Sequence, residues 1–200
     1  MKSPRSYTMK ARAQAVEQTR RQILDATVAL HLERLVSEVG LDHIAERAGV
    51  SVQTVLRHFG SRAELIEATF AHAAPVVQEE RRAPAGDVDA AVRSIMAHYE
   101  ARGDGVLILL AQERTEELAR RITQVGRKTH RTWVKEVFTP LLRGRADAEQ
   151  LLDLLVVATD VYTWKLLRRD RGLSRQNTEE RIKHLVSALL ADTNSRGKHV

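Results

Sequence analysis

Gln53, Thr54, Arg57 and His58 bring an amide, a hydroxyl, a guanidinium and an imidazole into one short stretch of chain. All four side chains make directional hydrogen bonds. The spacing predicts a short helix over 52–59 with Val55 turned inward and these four turned outward. Donors grouped on one face, beside the amides of a helix N-terminus, suit phosphate oxygens and the base edges of duplex DNA. Ser51 and Val52 open the same helix and join the candidate contacts. The whole chain is basic, with 32 Lys and Arg against 26 Asp and Glu, a net charge of +6 and a pI near 10. Such a balance favours phosphate-bearing partners through counterion release. Lys2, Arg5, Lys10, Arg12, Arg20 and Arg21 crowd the first segment against one acid, Glu17. Residues 1–15 therefore read as a basic arm able to lie along DNA, with Arg12 as its candidate contact, or else as a solvated tail.

Other chemistries lack their residues. With no cysteine, disulfides, thiolate metal sites and cysteine nucleophiles are excluded. None of the eight histidines pairs as His-x-x-x-His beside a carboxylate on one helical face, and His130 has no ligand near it in sequence. No metal and no cofactor is expected. No nucleophile elbow, phosphate loop or paired carboxylates appear, so no catalytic residue is expected either. The longest apolar run, around Leu151, is broken by Asp153 and Asp160 and falls short of the roughly 18 residues of a membrane span. The polar, basic N-terminus lacks the apolar stretch of a secretory signal, and the expected location is the cytoplasm.

Apolar residues recur at helical spacing along the chain, which predicts an all-α fold. A first helix over 13–33 would bury Val16, Ile23, Ala26 and Leu30, leaving Arg20, Arg21 and Asp25 outside. A second, over 41–47, turns Ile44 and Ala45 inward with Ala48 behind them, and Gly49 closes it. Ser51 is placed to cap the third helix, and Gly60 stops it. Ser61-Arg62-Ala63-Glu64 has the form of a capping box, opening a fourth helix through Leu65, Ile66 and Phe70. Small Ala45 permits close approach, Gly49 takes the turn, and Ile44, Val50 and Val55 fill the space between. That is a helix-turn-helix over 41–59. Pro75 and the stretch 81–86 mark the domain joint. Beyond it the pattern gives a helix capped by Asp87 and ending at Arg102, a turn at 103–105, and a short helix over 106–112. A helix over 115–138 ended by Pro140, one over 146–169 stopped by Gly172, a last one reaching Leu190, and a frayed tail from Asp192 complete it.

The segment TRRQILDATVALHLERLVSEVGLDHIAERAGVSVQTVLRHFGSRAELIEATF, residues 19–70, resembles the DNA-binding region of the TetR family of transcriptional regulators. The shared pattern runs T-R-x-x-I-L-x-A, then I-A-x-x-A-G-V-S, then T-x-x-x-H-F-x-S-[KR]-x-x-L. The resemblance implies a helical homodimer with its recognition helix in the major groove and a divergent C-terminal domain for dimerisation and ligand sensing. It places Arg62 where the family has a basic residue on the DNA backbone. The run DVYTWKLLRRDRGLS, residues 160–174, is similar to the dimer-forming part of many actinobacterial members. Four positions depart from the pattern: Leu56 replaces a phosphate-contacting tyrosine, His31 an aromatic, Leu35 a glycine and Gly40 a Thr or Ser cap.

The expected organisation is a basic arm over 1–15, a three-helix DNA-binding domain over 16–73 and a helical ligand-binding and dimerisation domain over 74–200. Met96, Tyr99, Leu110, Trp133, Asp160 and Tyr162 are candidates for the ligand pocket, each with core packing as its alternative. Asp160, in a helix apolar nearly all round, is expected to be buried and partnered. Leu155, Tyr162, Leu166, Ile182, Leu185 and Leu189 are the expected dimer interface, where the last two long helices carry more apolar surface than one domain covers. Lys165, Arg168, Arg169 and Arg171 read as a solvated helix end. The expected partners are operator DNA, a second copy of the chain and a small-molecule effector. The expected function is a repressor that binds a near-palindromic operator and releases it with effector. An activator or ligand-independent regulator is the alternative on the same fold; a helical enzyme or an interaction module would be a different class.

Overall fold

The computed structural model describes residues 4–192, all helices and their connections, with no strand among them. The chain divides into two compact units, one up to Val76 and one from Val77. Lys2 of the basic segment and the tail beyond Asp192 lie outside the described residues.

The first unit is built from α1 (Pro4–Glu33), a 3-10 turn (Val36–Glu38), α2 (Leu41–Arg47), α3 (Val52–Phe59) and most of α4 (Arg62–Glu80). Its core joins Ile23, Leu24 and Leu30 of α1 to Val39, Ile44, Ala45, Val55, Phe59 and Leu65. α1 begins well before the expected 13, and residues 4–15 are its continuation rather than a separate arm. Pro4 suits a first helical position, where the missing N–H has no partner to lose. From Met9 to Gln18 the helix is exposed, and Val16, expected in the stripe, is 52% exposed because nothing packs over that stretch. A two-pronged ion pair, Arg47 Nη1 to Glu33 Oε1 at 3.0 Å and Nη2 to Oε2 at 2.6 Å, ties α2 to the end of α1. Pro75 lies inside α4 and does not end it.

The second unit holds the last turn of α4, then α5 (Val88–Gln112), α6 (Glu117–Leu142), α7 (Ala148–Ala158), α8 (Val161–Lys165), a π-helical turn (Leu166–Asp170) and α9 (Arg175–Asp192). Asp87 caps α5, its carboxylate accepting from Ala90 N at 2.8 Å. Two expected breaks are absent and one unexpected break appears. Gly103-Asp104-Gly105 is not a turn, because α5 runs through it and both glycines are buried. A Cβ on Gly103 would stand 2.6 Å from Trp164 Cζ3, so the glycine serves close packing rather than chain reversal. Pro140 sits in the last turn of α6 without ending it, and Gly86 N donates to the Val137 carbonyl beside it at 2.7 Å. The helix expected over 146–169 is broken at Thr159-Asp160. There the Thr159 hydroxyl donates to the Leu155 carbonyl at 2.7 Å and Asp160 Oδ1 accepts from Tyr162 N at 2.9 Å, so the two side chains satisfy the backbone of the break. Asp160 is thus a half-buried helix cap and not a carboxylate sunk in an apolar helix.

Candidate nucleic-acid interface

α2 and α3 meet through a turn that the backbone closes itself. Ala48 N donates to the Ile44 carbonyl at 2.9 Å and Val50 N to the Ala45 carbonyl at 2.9 Å, with Gly49 at φ +68° between them. Ser51 Oγ accepts from Thr54 N at 3.1 Å and lies 3.0 Å from Thr54 Oγ1, fixing the start of α3. Val55 and Phe59 anchor the helix in the core. Gln53 and Arg57 are exposed, Thr54 and His58 half-buried, and none of the four is taken into the apolar interior. The exposed face also carries Val52 and Leu56, 37% and 40% exposed.

Arg20, expected as an outward charge of the basic first segment, has a more specific role. Its Nη1 donates to the His58 carbonyl at 3.2 Å and its guanidinium lies 4.4 Å from the centre of the Phe59 ring. An orphan carbonyl at a helix C-terminus attracts a cation, and the ring face adds a cation–π contact. The basic run Thr19-Arg20-Arg21 alone could not separate this anchor from its solvent-facing neighbour Arg21. Arg62, exposed, donates through Nη2 to the Val39 carbonyl at 3.1 Å, so it braces the unit as well as presenting charge. Ser61 Oγ accepts from Glu64 N at 3.2 Å and gives its own proton to Glu64 Oε2 at 3.0 Å, so the carboxylate closes on the hydroxyl and not on the Ser61 amide. Arg12 is exposed on α1. His31 is buried, its Nδ1–H donating to the Thr27 carbonyl at 2.8 Å, and burial lowers its pKa.

In the second unit the pocket candidates separate. Met96, Tyr99 and Trp133 are buried in its core, and Leu110 is half-buried against it. Tyr162 is 51% exposed and lines no interior, because the break at Thr159-Asp160 turns α8 out of the phase a continuous helix would have. Around Tyr99 and Trp133 lies a buried polar cluster that the sequence pattern did not disclose: Arg81, His98, His130 and Thr159. Trp133 Nε1 donates to the Arg81 carbonyl at 2.6 Å, and Tyr99 Oη donates to the Thr159 carbonyl at 3.0 Å. Burial first, and then the charge of Arg81, lower the pKa values of His98 and His130 to about 4, so both rings are neutral. Glu80 receives Arg102 on both oxygens and His98 Nδ1–H at 2.8 Å; these bonds outweigh the effect of burial and hold its carboxyl below the usual range. Among the described residues no group of three or more His, Asp or Glu is placed to hold a metal.

The expected dimer residues divide as well. Leu155 and Ile182 are fully buried in the chain's own core and are not available to a partner, since α7 and α9 turn those residues toward α5 and α6. Leu189 is half-buried against the same core. Leu166 and Leu185 are exposed, as are Leu154 and Val157 of α7. At the end of α8 and in the π-helical turn that follows, three basic residues are ion-paired: Lys165 to Asp170 at 2.8 Å, Arg168 to Glu100 at 2.9 Å and Arg169 to Asp104 at 2.8 Å.

Residues 23–69 match the family described as bacterial regulatory proteins, tetR family. The chain is 39% identical over 59 residues to the HTH-type transcriptional regulator SrpR of Pseudomonas putida, a match covering 30% of this chain and 28% of that protein. The aligned part thus spans under a third of that relative's length. A crystal structure of a transcriptional regulator from Rhodococcus sp. Rha1 superposes with a TM-score of 0.61 over 88% of this chain and 96% of that one, at 18% identity. That likeness extends the shared helical fold well beyond the N-terminal match. The helix-turn-helix geometry lies within the matched segment, so residues 23–69 are similar in sequence to the DNA-binding region of the tetR family and carry its two-helix motif.

Proposed function

We propose that the chain is a homodimeric transcriptional repressor that binds a near-palindromic operator and leaves it when a small molecule binds. The observation that carries the reading is α3: capped by Ser51, anchored by Val55 and Phe59, braced by Arg20, and presenting Gln53, Thr54 and Arg57 outward. A rigid helix with a polar outer face is what insertion into a major groove requires. Ser51, Val52, His58, Arg62 and Arg12 complete the contact set, the last from the basic segment over 1–15. Residues 16–73 are the DNA-binding domain and 74–200 the domain for effector and dimer. The reading assigns no catalytic residue and places the protein in the cytoplasm with its operator.

Leu154, Val157, Tyr162, Leu166 and Leu185, all exposed on the last helices, supply apolar surface for a two-fold interface. A dimer of this motif addresses half-sites about 34–36 Å apart or a multiple of that. An effector that favours a conformer with another spacing then lowers operator affinity by population shift. Selection of bound duplexes from random DNA tests the reading: a two-fold symmetric motif is the expected product. Absence of any enriched sequence would remove it. Leu185→Glu is expected to yield monomers in light scattering and to lose the symmetric site; an intact dimer in that variant would exclude this interface.

A further inference from the structure

Arg81, only 7% exposed, is left incompletely satisfied by its own fold. Nη2 donates to His98 Nε2 at 2.7 Å, while Nε and Nη1 are buried without a partner. The carboxylates within electrostatic reach are engaged elsewhere: Glu80 with Arg102 and His98, Asp160 with Tyr162 N. Glu80 also sets the orientation of the guanidinium. By taking His98 Nδ1–H it leaves a lone pair on Nε2, and that lone pair holds Nη2.

A second unsatisfied atom lies close by. His130 Nε2 is 3.2 Å from the Val156 carbonyl, which only accepts, so the ring proton is on Nε2. Nδ1 is then a bare acceptor, buried and without a partner. Trp133 connects the two groups, its ring stacked on His130 at 5.6 Å and its Nε1 bound to the Arg81 carbonyl. Buried donors and acceptors are almost always paired, and a buried guanidinium with free N–H groups presents strong, directed donors to an anion.

We infer that Arg81 is the anion-binding residue of the effector site: it takes the carboxylate of a small organic acid, and His130 Nδ1 accepts from a hydroxyl of the same molecule. The inference rests on the reading that the second unit senses a small molecule, and it names the class of that molecule. One net negative charge fits. Arg102 is already neutralised by Glu80, and Asp160 repels a second charge, so a phosphate dianion has no further cation to meet. Buried Met96, Tyr99 and Trp133 belong to the same core and give the molecule's body an apolar setting.

Calorimetric titration of the full chain without DNA tests this, using benzoate and salicylate against benzamide and salicylamide. The acids are expected to bind at least about tenfold more tightly than their amides, the scale of one charge-assisted contact. Arg81→Met is expected to abolish that preference, and Arg81→Lys to weaken but retain it, which guards against a variant that does not fold. His130→Phe is expected to remove only the advantage of salicylate over benzoate. Equal affinity for acids and amides, a preference unchanged in Arg81→Met, or no binding of either acid at millimolar concentration would overturn the inference. Operator binding measured in parallel separates it from the wider reading. Arg81-dependent acid binding that leaves DNA affinity unchanged keeps the site and removes ligand-controlled repression. Release of DNA by the amides alone does the reverse.

Discussion

In the unit up to Val76 the side chains proposed for DNA contact stand outside a small apolar core, whereas from Val77 onward the polar groups of interest lie inside one. Gln53 and Arg57 face solvent and make no demand on the interior, so their worth lies in what they meet. Arg81, His98, His130, Tyr99 and Thr159 are desolvated and must be answered by neighbours from distant parts of the chain. Substitution in the first set should change binding and leave folding alone, and in the second should change folding, ligand response or both.

The contrast is sharpest at Trp164. It is fully buried, donates to Glu100 Oε1 at 3.0 Å and packs against Gly103. Trp164→Ala is expected to cost about 3–5 kcal/mol in urea denaturation, the range for truncating a buried large aromatic. A loss below about 1 kcal/mol would mean that the second core is less closely packed than described.

Acid should act next most strongly, and on the second unit. His98 and His130 have folded pKa values of about 4 against an ordinary 6.5, so the unfolded chain binds more protons between those values. The stability they contribute is complete above about pH 7 and falls as pH drops from 6.5 toward 4, by roughly 2–3 kcal/mol for each ring. Thermal melts across that window are expected to show the loss, and His130→Gln to flatten it. A profile level from pH 7 to 4.5 would contradict neutral, buried rings.

Arg57→Ala is expected to weaken operator binding by about 1–3 kcal/mol, as for one good base contact, with an unchanged melting temperature. Equal affinity would take Arg57 out of the contact set; a lowered melting temperature would blur the division between the units. Ser51→Ala has the smallest expected effect, about 1 kcal/mol of stability through the loss of its bond to Thr54 N. Its readout is a small shift in denaturation midpoint, and no shift would show that the cap is dispensable.

Local rules made the first unit legible. A period of 3.6 puts Val55 and Phe59 inside and Gln53 and Arg57 outside, and Gly49 and Ser51 each occupy the helix-end position their chemistry favours. What remained hidden depends on residues far apart in sequence. Val16 has helical spacing but no element over it, and Leu155 and Ile182 are as apolar as Leu185 yet face the opposite way. The glycines of 103–105 look like a turn until Trp164, some sixty residues on, is seen against them. Arg81 and His130 differ from any other basic residue only in where the chain folds them.

The closeness of Gly103 and Trp164 also limits how this sequence can drift. Any side chain at 103 needs room that the indole already occupies. A smaller residue at 164 opens a void and strips Glu100 of one donor. Either step alone crosses a less stable intermediate, so the positions are expected to vary together: a side chain appears at 103 in descendants whose residue at 164 has already become smaller.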